Sequence, residues 1–319
     1  MTTAPKPAQI PETWEQDVVL APFTSWKVGG PARFFSQPSD PSALASDLRA
    51  AADAGLAVFI LGGGSNILIA GEGFDGLVVR YRDRSVRLQV DDGGGSARLR
   101  AGAHAPFAGT ARAMAYRGWA GLEWAEGIPG TIGGAIAGNA GAYGGDVSQV
   151  LLLADLLIGG SRREVWTVDA FAFAYRRSRL RRMPPGEAVV LTGEFHLRRE
   201  DPGSLRQRMA ELSARRRSAT PAGQSCGSVF RNPEGDASGR IIDGLGLKGT
   251  RCGGAAVSLQ HGNYILNDGS ATAAEILRLI RQVRDLVLER TGVRLVPEIQ
   301  FMGFSDADLD GLVDPAPDV

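Results

Sequence analysis

The stretch IPGTIGGAIAGNAGAYGGD at residues 128–146 limits the fold most, because it packs seven glycines into nineteen residues. Its other residues are mainly small and apolar, whereas a flexible linker would favour serine and charge. Glycine is also in excess overall, at 43 of 319 residues, against about 7% on average. We call residues 128–146 the second glycine loop, because another glycine-rich loop precedes it in the chain. We expect its main chain to lie directly against a flat ligand, with Asn139 and Tyr143 offering side-chain hydrogen bonds. A purely structural role for the glycines is the alternative.

A first glycine loop, residues 62–66, lies within ILGGGSNILIAG and follows the predicted buried strand AVFIL at 57–61. Consecutive glycines let successive backbone N–H groups point into one concavity, which can bind a pyrophosphate without lysines. A Rossmann motif would lead into a helix, whereas ILIAG is strand-like. The sequence therefore predicts a dinucleotide site of another kind, with a plain turn between strands as the alternative.

Composition and charge exclude several classes of protein. The formal net charge is zero, so the usual electrostatic attraction to nucleic acid or to an anionic membrane is missing. No run approaches the roughly 20 uncharged apolar residues of a spanning helix, and no secretory signal is visible. Cys226 and Cys252 lack a CxxC motif and paired histidines, so neither a disulfide framework nor a metal site is indicated. We expect a cytoplasmic protein with small-molecule partners and no obligate protein partner.

The chain is long enough for two or three domains. The linker EDPGS begins near residue 200, and an amphipathic helix follows with Leu205, Met209 and Leu212 facing inward. Farther on, Thr272 and Glu275 form a capping box for a long helix that needs a core partner. We expect an N-terminal tail at 1–17, cofactor-binding elements before the boundary near residue 200, a smaller α+β domain at 201–304, and an acidic C-terminal tail at 305–319.

Three side chains outside the glycine loops are candidates for chemistry. FAYRRS at 173–178 follows Asp169, a predicted N-cap, so Tyr175 and Arg176 should lie on a short helix or just past it. Arg176 is suited to a carboxylate or phosphate, although most arginines are simply solvated. Ser228 in SCGSVFRNP has no GxSxG elbow, which argues against a hydrolase. Glu298 follows a proline in an apolar strand, where a carboxylate must be paired or protonated.

In this order, these segments resemble the bacterial UDP-N-acetylenolpyruvoylglucosamine reductase family, flavoenzymes that complete UDP-N-acetylmuramate for peptidoglycan. The resemblance runs from TSWKVGGPARFF at 24–35 to PEIQFMG at 297–303, and it includes GSVFRNP and GRIIDGLGLKGTRCGGAAVSLQHGNYILN. It implies an α+β fold, with a two-lobed FAD-binding region of the vanillyl-alcohol-oxidase type, its lobes at 18–81 and 82–200, followed by the substrate domain at 201–304. No tyrosine-bearing loop is present at 197–220, so the chain resembles the family's second, shorter type.

The resemblance also implies site residues, cofactors and a mechanism. Arg176, Ser228 and Glu298 match the family's catalytic residues. Tyr175 and Asn232 match substrate contacts, and the next one is either Gln260 or His261. The implied contacts to non-covalent FAD are Gly62, Gly63, Gly64, Ser65, Asn66, Pro129, Gly130, Gly133, Gly134, Asn139 and Gly141.

The implied reaction uses NADPH to reduce FAD and then passes the hydride to an enolpyruvyl ether. Electrons displaced from the alkene build a dianionic enolate, which Arg176 and a protonated Glu298 would stabilise and Ser228 would protonate. Two alternatives are an FAD-dependent oxidase of the same fold and a non-catalytic nucleotide-binding module. The glycine loops lack the His or Cys that often tethers flavin in such oxidases, and a binding module has no use for the three catalytic candidates together.

Overall fold

The computed structural model describes residues 10–313. Within this range the chain forms two compact units. The first contains residues 10–18, Ala32–Gly63 and Asp75–Leu212, and the second contains Val19–Pro31, Gly64–Phe74 and residues 213–313. Both units combine helices and strands, as the expected α+β class requires.

The strands are short, except for three long ones in the first unit. They are β1 (Glu15–Val19), β2 (Pro31–Ser36), β3 (Ala57–Ile60), β4 (Ile67–Ile69), β5 (Phe74–Val79), β6 (Val86–Val90), β7 (Ser96–Gly102), β8 (Trp119–Ala120), β9 (Gly141–Ala142), β10 (Gly145–Asp146), β11 (Leu151–Ile158), β12 (Arg162–Thr167), β13 (Ala188–Arg199), β14 (Arg251–Cys252), β15 (Ala255–Val257), β16 (Ile265–Asn267) and β17 (Gln300–Met302). The α-helices are α1 (Pro41–Asp53), α2 (Phe107–Tyr116), α3 (Ile132–Gly138), α4 (Pro202–Ala219), α5 (Ser238–Gly244), α6 (Ala273–Thr291) and α7 (Asp306–Leu309). Single 3₁₀ turns occur at Ala21–Phe23, Glu123–Ala125, Val147–Gln149, Val168–Phe171 and Arg179–Arg182.

The first unit is organised around two sheets. One has the order β1-β2-β5-β3, and β3 runs parallel to β5. The other has the order β12-β11-β13-β7-β6, with β8 also paired to β13. Gly193 on β13 lies beside Ile136 of α3, and a Cβ there would come within 2.6 Å of the Ile136 side chain. This close contact packs α3, and with it the second glycine loop, directly on the larger sheet.

The second unit is built on α6 and small sheets. The predicted capping box of Thr272 and Glu275 is present, and α6 ends at Gly292 with φ +73°, so the predicted helix is confirmed. Its buried face contacts the antiparallel sheet β14-β15-β16. Strand β4, which follows the first glycine loop, pairs in parallel with β17. Through this pairing the polypeptide just after the first glycine loop lies beside the strand just after Glu298.

The predicted terminal tails are wrong for the described residues. Strand β1 begins at Glu15, and the indole of the buried Trp14 donates to Oδ1 of Asp47 at 2.8 Å. At the other end Ser305 caps α7, and Leu312 is only 2% exposed. The sequence around both segments is rich in proline and aspartate, but each segment has one large apolar side chain that packs into a hydrophobic core, Trp14 in the first and Leu312 in the second. Residues 1–9 and 314–319 of the predicted tails lie outside the described residues.

The boundaries of the units also differ from the expected lobes. Residues 19–31 and 64–74 belong to the second unit, although the expected first lobe ran continuously over 18–81. The predicted boundary near residue 200 falls instead at residue 212, because Leu205 and Met209 of α4 pack against Ala115 and Ala120. Leu212 is only half-buried. The assignment of these ranges to FAD and to substrate stays a prediction.

Candidate active site

The two glycine loops meet backbone to backbone in the first unit. Strand β3 ends at Ile60, and the chain then reaches Gly62 and Gly63. A Cβ on Gly63 would lie 2.8 Å from Cα of Gly130, and one on Gly62 would lie 3.0 Å from Oγ1 of Thr131. Gly63, Pro129 and Gly134 are exposed. Glycine at residues 62 and 63 therefore lets the two loops pack main chain against main chain. The exposed main chain of Gly63 and Gly134 beside this contact can be approached by an extended anionic ligand.

Other glycines of the second loop are explained by packing. The N–H of Gly133 donates to the carbonyl of Ala103 at 2.9 Å, and a Cβ on Gly133 would lie 3.0 Å from the Ala103 Cβ. A Cβ on Gly141 would lie 2.6 Å from the carbonyl oxygen of Gly145, inside the β9–β10 hairpin. The structural role held open for these glycines is thus present at both positions. Their contact with FAD stays a prediction.

The Asn139 side chain is buried and hydrogen-bonded within the protein. It ends α3 with φ +42° and is 3% exposed. Its Nδ2 donates to the carbonyl of Ala174 at 3.0 Å, and its Oδ1 accepts from the N–H of Ser148 at 3.1 Å. The protein thus uses one N–H and one oxygen lone pair of the amide, and the expected contact of Asn139 with the ligand stays a prediction.

Arg176 lies in a tight turn at residues 174–177, called here the Arg176 turn. Ala174 and Arg177 exchange two main-chain hydrogen bonds of 3.0 Å, so Tyr175 and Arg176 form its tip. Arg176 has φ +56°, an uncommon conformation for a residue other than glycine and one that clusters at functional sites. Its guanidinium carbon lies 5.6 Å from the centre of the Tyr175 ring, which is 58% exposed.

The predicted position of the Arg176 turn, just past a short helix, is confirmed. The 3₁₀ turn ends at Phe171. Its N-cap is Thr167, however, and Asp169 lies within the turn. A 3₁₀ segment this short needs no side-chain cap, which is why the local preference of Asp169 did not decide the boundary.

The rest of the first glycine loop belongs to the second unit and contacts the Glu298 segment there. Gly64 has φ +64° and Ser65 is half-buried. The Nδ2 of Asn66 donates to the main-chain carbonyl of Glu298 at 3.2 Å, and the N–H of Gln300 donates to the carbonyl of Asn66 at 3.0 Å. The loop and the predicted catalytic glutamate are therefore held in register by direct hydrogen bonds.

Ser228 and Glu298 lie on adjacent extended segments of the second unit. Ser228 pairs with Tyr264, and the next residue, Val229, accepts a 2.8 Å hydrogen bond from the N–H of Glu298. On its other side the N–H of Val229 donates to the carbonyl of Asn263 at 2.9 Å. The Ser228 segment thus runs between two neighbours, so the main chain of both predicted catalytic residues is fixed.

Asn263 is a site-supporting residue that the sequence analysis missed. It is 3% exposed, its Nδ2 donates to the carbonyl of Phe230 at 2.8 Å, and its Oδ1 accepts from the N–H of Phe230 at 2.9 Å. The amide thus bonds both main-chain groups of Phe230, and it takes the place of a neighbouring β-strand's hydrogen bonds close to Ser228. The only hint in the sequence is an amide residue directly before the apolar run YIL.

Cys226 and Glu298 are close enough to interact electrostatically. Burial raises the pKa of the Cys226 thiol well above its ordinary value, and the Glu298 carboxylate raises it further. A thiol in this state is protonated and a poor nucleophile. Cys226 is therefore an unreactive, buried neighbour of the predicted catalytic glutamate.

The predicted substrate contacts of the second unit are partly engaged by the protein. The Oδ1 of Asn232 accepts from the N–H of Ser238 at 3.1 Å, and Nε2 of Gln260 donates to the carbonyl of Ser218 at 2.8 Å. Nδ1 of His261 accepts from the N–H of Asn263 at 3.2 Å. Burial, with a smaller effect from Lys248, lowers the pKa of His261, so its ring is neutral with the proton on Nε2. The choice between Gln260 and His261 stays open.

Two features are absent from residues 10–313. No helix in this range has both the length and the apolar composition needed to cross a membrane. No group of three or more His, Cys, Asp and Glu residues within it could hold a metal ion.

Comparison with known proteins identifies the domains and relatives of this chain. Residues 32–158 match the model of an FAD binding domain, and residues 219–302 match that of the UDP-N-acetylenolpyruvoylglucosamine reductase C-terminal domain. UDP-N-acetylenolpyruvoylglucosamine reductase from Chloroflexus aurantiacus is 45% identical over 93% of this chain and 100% of its own length. The protein of the same name from Chloroflexus aggregans is 47% identical over 91% and 98%.

A solved structure shows the same fold. The UDP-N-acetylenolpyruvylglucosamine reductase from Thermus caldophilus superposes with a TM-score of 0.75 and 32% identity, over 91% of this chain and 98% of that one. The α+β class, the FAD-binding region and the following reductase domain are thereby confirmed. On these grounds the chain belongs to the UDP-N-acetylenolpyruvoylglucosamine reductase family.

Proposed function

We propose that this protein reduces UDP-N-acetylenolpyruvoylglucosamine to UDP-N-acetylmuramate in the cytoplasm, with FAD bound non-covalently and NADPH as the reductant. The observation that carries the proposal is the placement of Ser228 and Glu298 on adjacent segments joined through Val229. A proton donor and a carboxyl group held on rigid neighbouring strands can act on one small group of atoms. Membership of the reductase family supplies the substrate.

The first unit has the features that FAD requires. A Cβ on Gly62 or Gly63 would meet Thr131 or Gly130 of the second glycine loop, so the two loops are in close contact, and the exposed main chain of Gly63 and Gly134 beside that contact would hold the pyrophosphate. FAD bound there would supply the two-electron step, taking hydride from NADPH and delivering it to the alkene carbon. The chain's own residues then have to bind the substrate, stabilise charge and donate the proton.

Arg176 and Glu298 are assigned to charge stabilisation. As hydride adds to one alkene carbon, the displaced electron pair moves toward the substrate carboxylate and leaves an enolate with two negative charges. A guanidinium can pair with that carboxylate through two parallel hydrogen bonds, which strengthen as charge develops. Glu298 would contribute as a protonated donor, because a second negative charge close by and loss of water both favour the neutral acid.

Ser228 is assigned to the proton transfer. Its hydroxyl is a weak acid, so it gives up a proton only to a strong base held in fixed geometry, and the enolate is such a base. The carbon–hydrogen bond forms as the oxygen–hydrogen bond of the serine breaks, and water restores the hydroxyl. The product has gained one hydride and one proton, which balances the two-electron reduction.

The proposal is tested by following the flavin spectrum in two anaerobic steps. In Ser228→Ala, NADPH should bleach the flavin at close to the normal rate, and added enolpyruvyl substrate should then fail to restore the colour. Ser225→Ala is the matched control, since it removes a half-buried hydroxyl three residues away, and it should reoxidise normally. Ordinary turnover by Ser228→Ala would show that Ser228 is not the proton donor.

The same samples test the two alternatives. An oxidase of this fold would pass its electrons to oxygen and ignore the enolpyruvyl compound, and tethered flavin would stay yellow on the denatured polypeptide. A module that only binds nucleotides would leave the flavin spectrum unchanged when NADPH is added without oxygen.

A further inference from the structure

The end of α3 and the Arg176 turn are tied together by two buried side chains. The Nδ2 of Asn139 donates to the carbonyl of Ala174 at 3.0 Å, and the Oγ of Ser178 donates to the carbonyl of Ala137 at 2.6 Å. Asn139 is 3% exposed and Ser178 is fully buried. One hydrogen bond runs from α3 to the turn and the other runs back, on opposite sides of Arg176 in the sequence. The turn therefore cannot move away from α3 without breaking one of these two hydrogen bonds, which together are called here the tether.

The acceptor that Asn139 uses is the one that closes the turn. The carbonyl of Ala174 also accepts the N–H of Arg177 at 3.0 Å. One oxygen therefore accepts both the hydrogen bond that closes the turn and the hydrogen bond from Asn139. Arg176 lies in this turn with φ +56°, a conformation that a non-glycine residue keeps only where its surroundings fix it. Asn139 supplies part of that constraint.

The other end of the tether is equally constrained. Asn139 has a left-handed backbone at the end of α3, and its Oδ1 is occupied by the N–H of Ser148. Helix α3 is itself fixed by the bond from Gly133 to the carbonyl of Ala103. The second glycine loop and the Arg176 turn are thus parts of one hydrogen-bonded body within the first unit.

We propose that Asn139 and Ser178 are positioning residues that set the location of the Arg176 guanidinium relative to the second glycine loop. The inference rests on the proposed function, in which Arg176 pairs with the substrate carboxylate. Neither side chain touches substrate in this scheme. Each acts by holding the turn, so that arginine and the flavin-binding backbone keep a fixed separation while charge develops on the substrate.

The test uses Asn139→Asp, which keeps the size of the side chain and the acceptor for Ser148 but removes the donor to Ala174. With FAD added to saturation, we expect a normal rate of bleaching by NADPH. Reoxidation by the enolpyruvyl substrate should slow by about tenfold or more, the cost of a small misplacement of a catalytic group. Ser178→Ala should act in the same direction. Gln149→Ala is the control, because its exposed amide bonds the carbonyl of Gly144 away from the turn.

A double-mutant cycle separates positioning from general structural damage. In an Arg176→Ala background the Asn139→Asp change should have no further effect on reoxidation, because there is no guanidinium left to position. An equal slowing in both backgrounds would overturn the proposal. If Arg176→Ala alone leaves reoxidation unchanged, the assigned role of Arg176 fails, and that result is distinct from failure of the tether.

Limited trypsin digestion of the holoprotein gives a readout independent of activity. The turn contains Arg176 and Arg177, and Arg177 is exposed. Loss of the tether should speed cleavage after these two arginines in Asn139→Asp and Ser178→Ala, with other cleavage sites unchanged. Wild-type cleavage rates at the turn in both variants would contradict the proposed constraint.

Discussion

Nδ2 of Asn66 lies 3.2 Å from the main-chain carbonyl oxygen of Glu298, within the second unit. The N–H of Gln300 donates back to the carbonyl of Asn66. Asn66, which is expected to contact FAD, therefore also stabilises the segment that contains Glu298, the expected catalytic carboxyl group. Changes at Asn66 should consequently affect more than the affinity for FAD.

The first prediction concerns Asn66→Asp, which preserves shape but removes the donor to Glu298. Losing one hydrogen bond should lower the free energy of unfolding by about 1 kcal/mol, measured by urea denaturation. Reoxidation of reduced flavin by substrate should slow more than its reduction by NADPH, because the Glu298 segment is loosened. Gln300→Ala is the control, since its side chain is exposed and its main-chain bond is retained. Equal slowing of both half-reactions would show that Asn66 does not act through Glu298.

The second prediction concerns the contact between the glycine loops. In Gly63→Ala the new methyl group would lie 2.8 Å from the Cα of Gly130, and main chain cannot rotate away as a side chain can. Overpacking of this kind costs about 1 to 3 kcal/mol, and an equal loss of binding free energy would weaken FAD affinity by roughly 5-fold to 150-fold. Titration of the apoprotein with FAD measures it. Gly93→Ala, whose Cβ meets nothing within 4 Å, should bind FAD normally. Unchanged affinity in Gly63→Ala would contradict this packing.

The third prediction concerns His104, which is 4% exposed and lies 3.4 Å from Arg80 through Nε2 and Nη2. Burial, together with a smaller effect from the nearby arginines, lowers the pKa of His104 to about 4. An unfolded histidine titrates near pH 6.5, so below that pH the unfolded chain binds more protons than the folded one. The stability present above pH 6.5 is therefore lost as the pH falls toward 4.

The expected loss from His104 is about 2 to 3 kcal/mol between pH 7 and pH 4, measured as the pH dependence of urea unfolding. Other groups also titrate in this range, so the comparison between variants is decisive. His104→Gln should flatten the wild-type curve by that amount, whereas His196→Gln, at an exposed position, should leave it unchanged. A parallel curve for His104→Gln would mean that His104 is not neutral in the folded protein.

The fourth prediction concerns the ordered C-terminal segment. Leu312 is 2% exposed, and Arg281 donates to the carbonyls of Asp308 and Asp310. Truncation of a buried leucine removes packing, so Leu312→Ala should cost about 2 kcal/mol or more. Val313→Ala, at a residue 44% exposed, should cost much less. Equal stability of the two variants by urea denaturation would restore the expectation of a loose tail.

Local sequence patterns predicted the regular elements well. The capping box of Thr272 and Glu275 gave the start of α6, because the hydrogen bonds that begin a helix form within four residues. The motifs likewise indicated the family, which the comparisons confirm.

Segments that depend on distant partners were not predictable in this way. The indole of Trp14 donates to Asp47, thirty-three residues away, and turns an expected tail into part of the core. The predicted domain boundary near residue 200 differs from the observed one at residue 212, because α4 packs against Ala115 and Ala120, which lie earlier in the chain. Composition near each segment carried no information about either partner.

The sequence by itself determined the glycine loops, the family and the identity of the candidate catalytic side chains, because these depend on residue type and order along the chain. Only the tertiary structure decided what several of those residues do. Asn139 was expected to bind a ligand, yet its amide holds Ala174, and Asn263 came to light only because it pairs with Phe230. The hydrogen bonds of an amide side chain depend on which carbonyls the fold brings within about 3 Å, and that is set by contacts far apart in sequence.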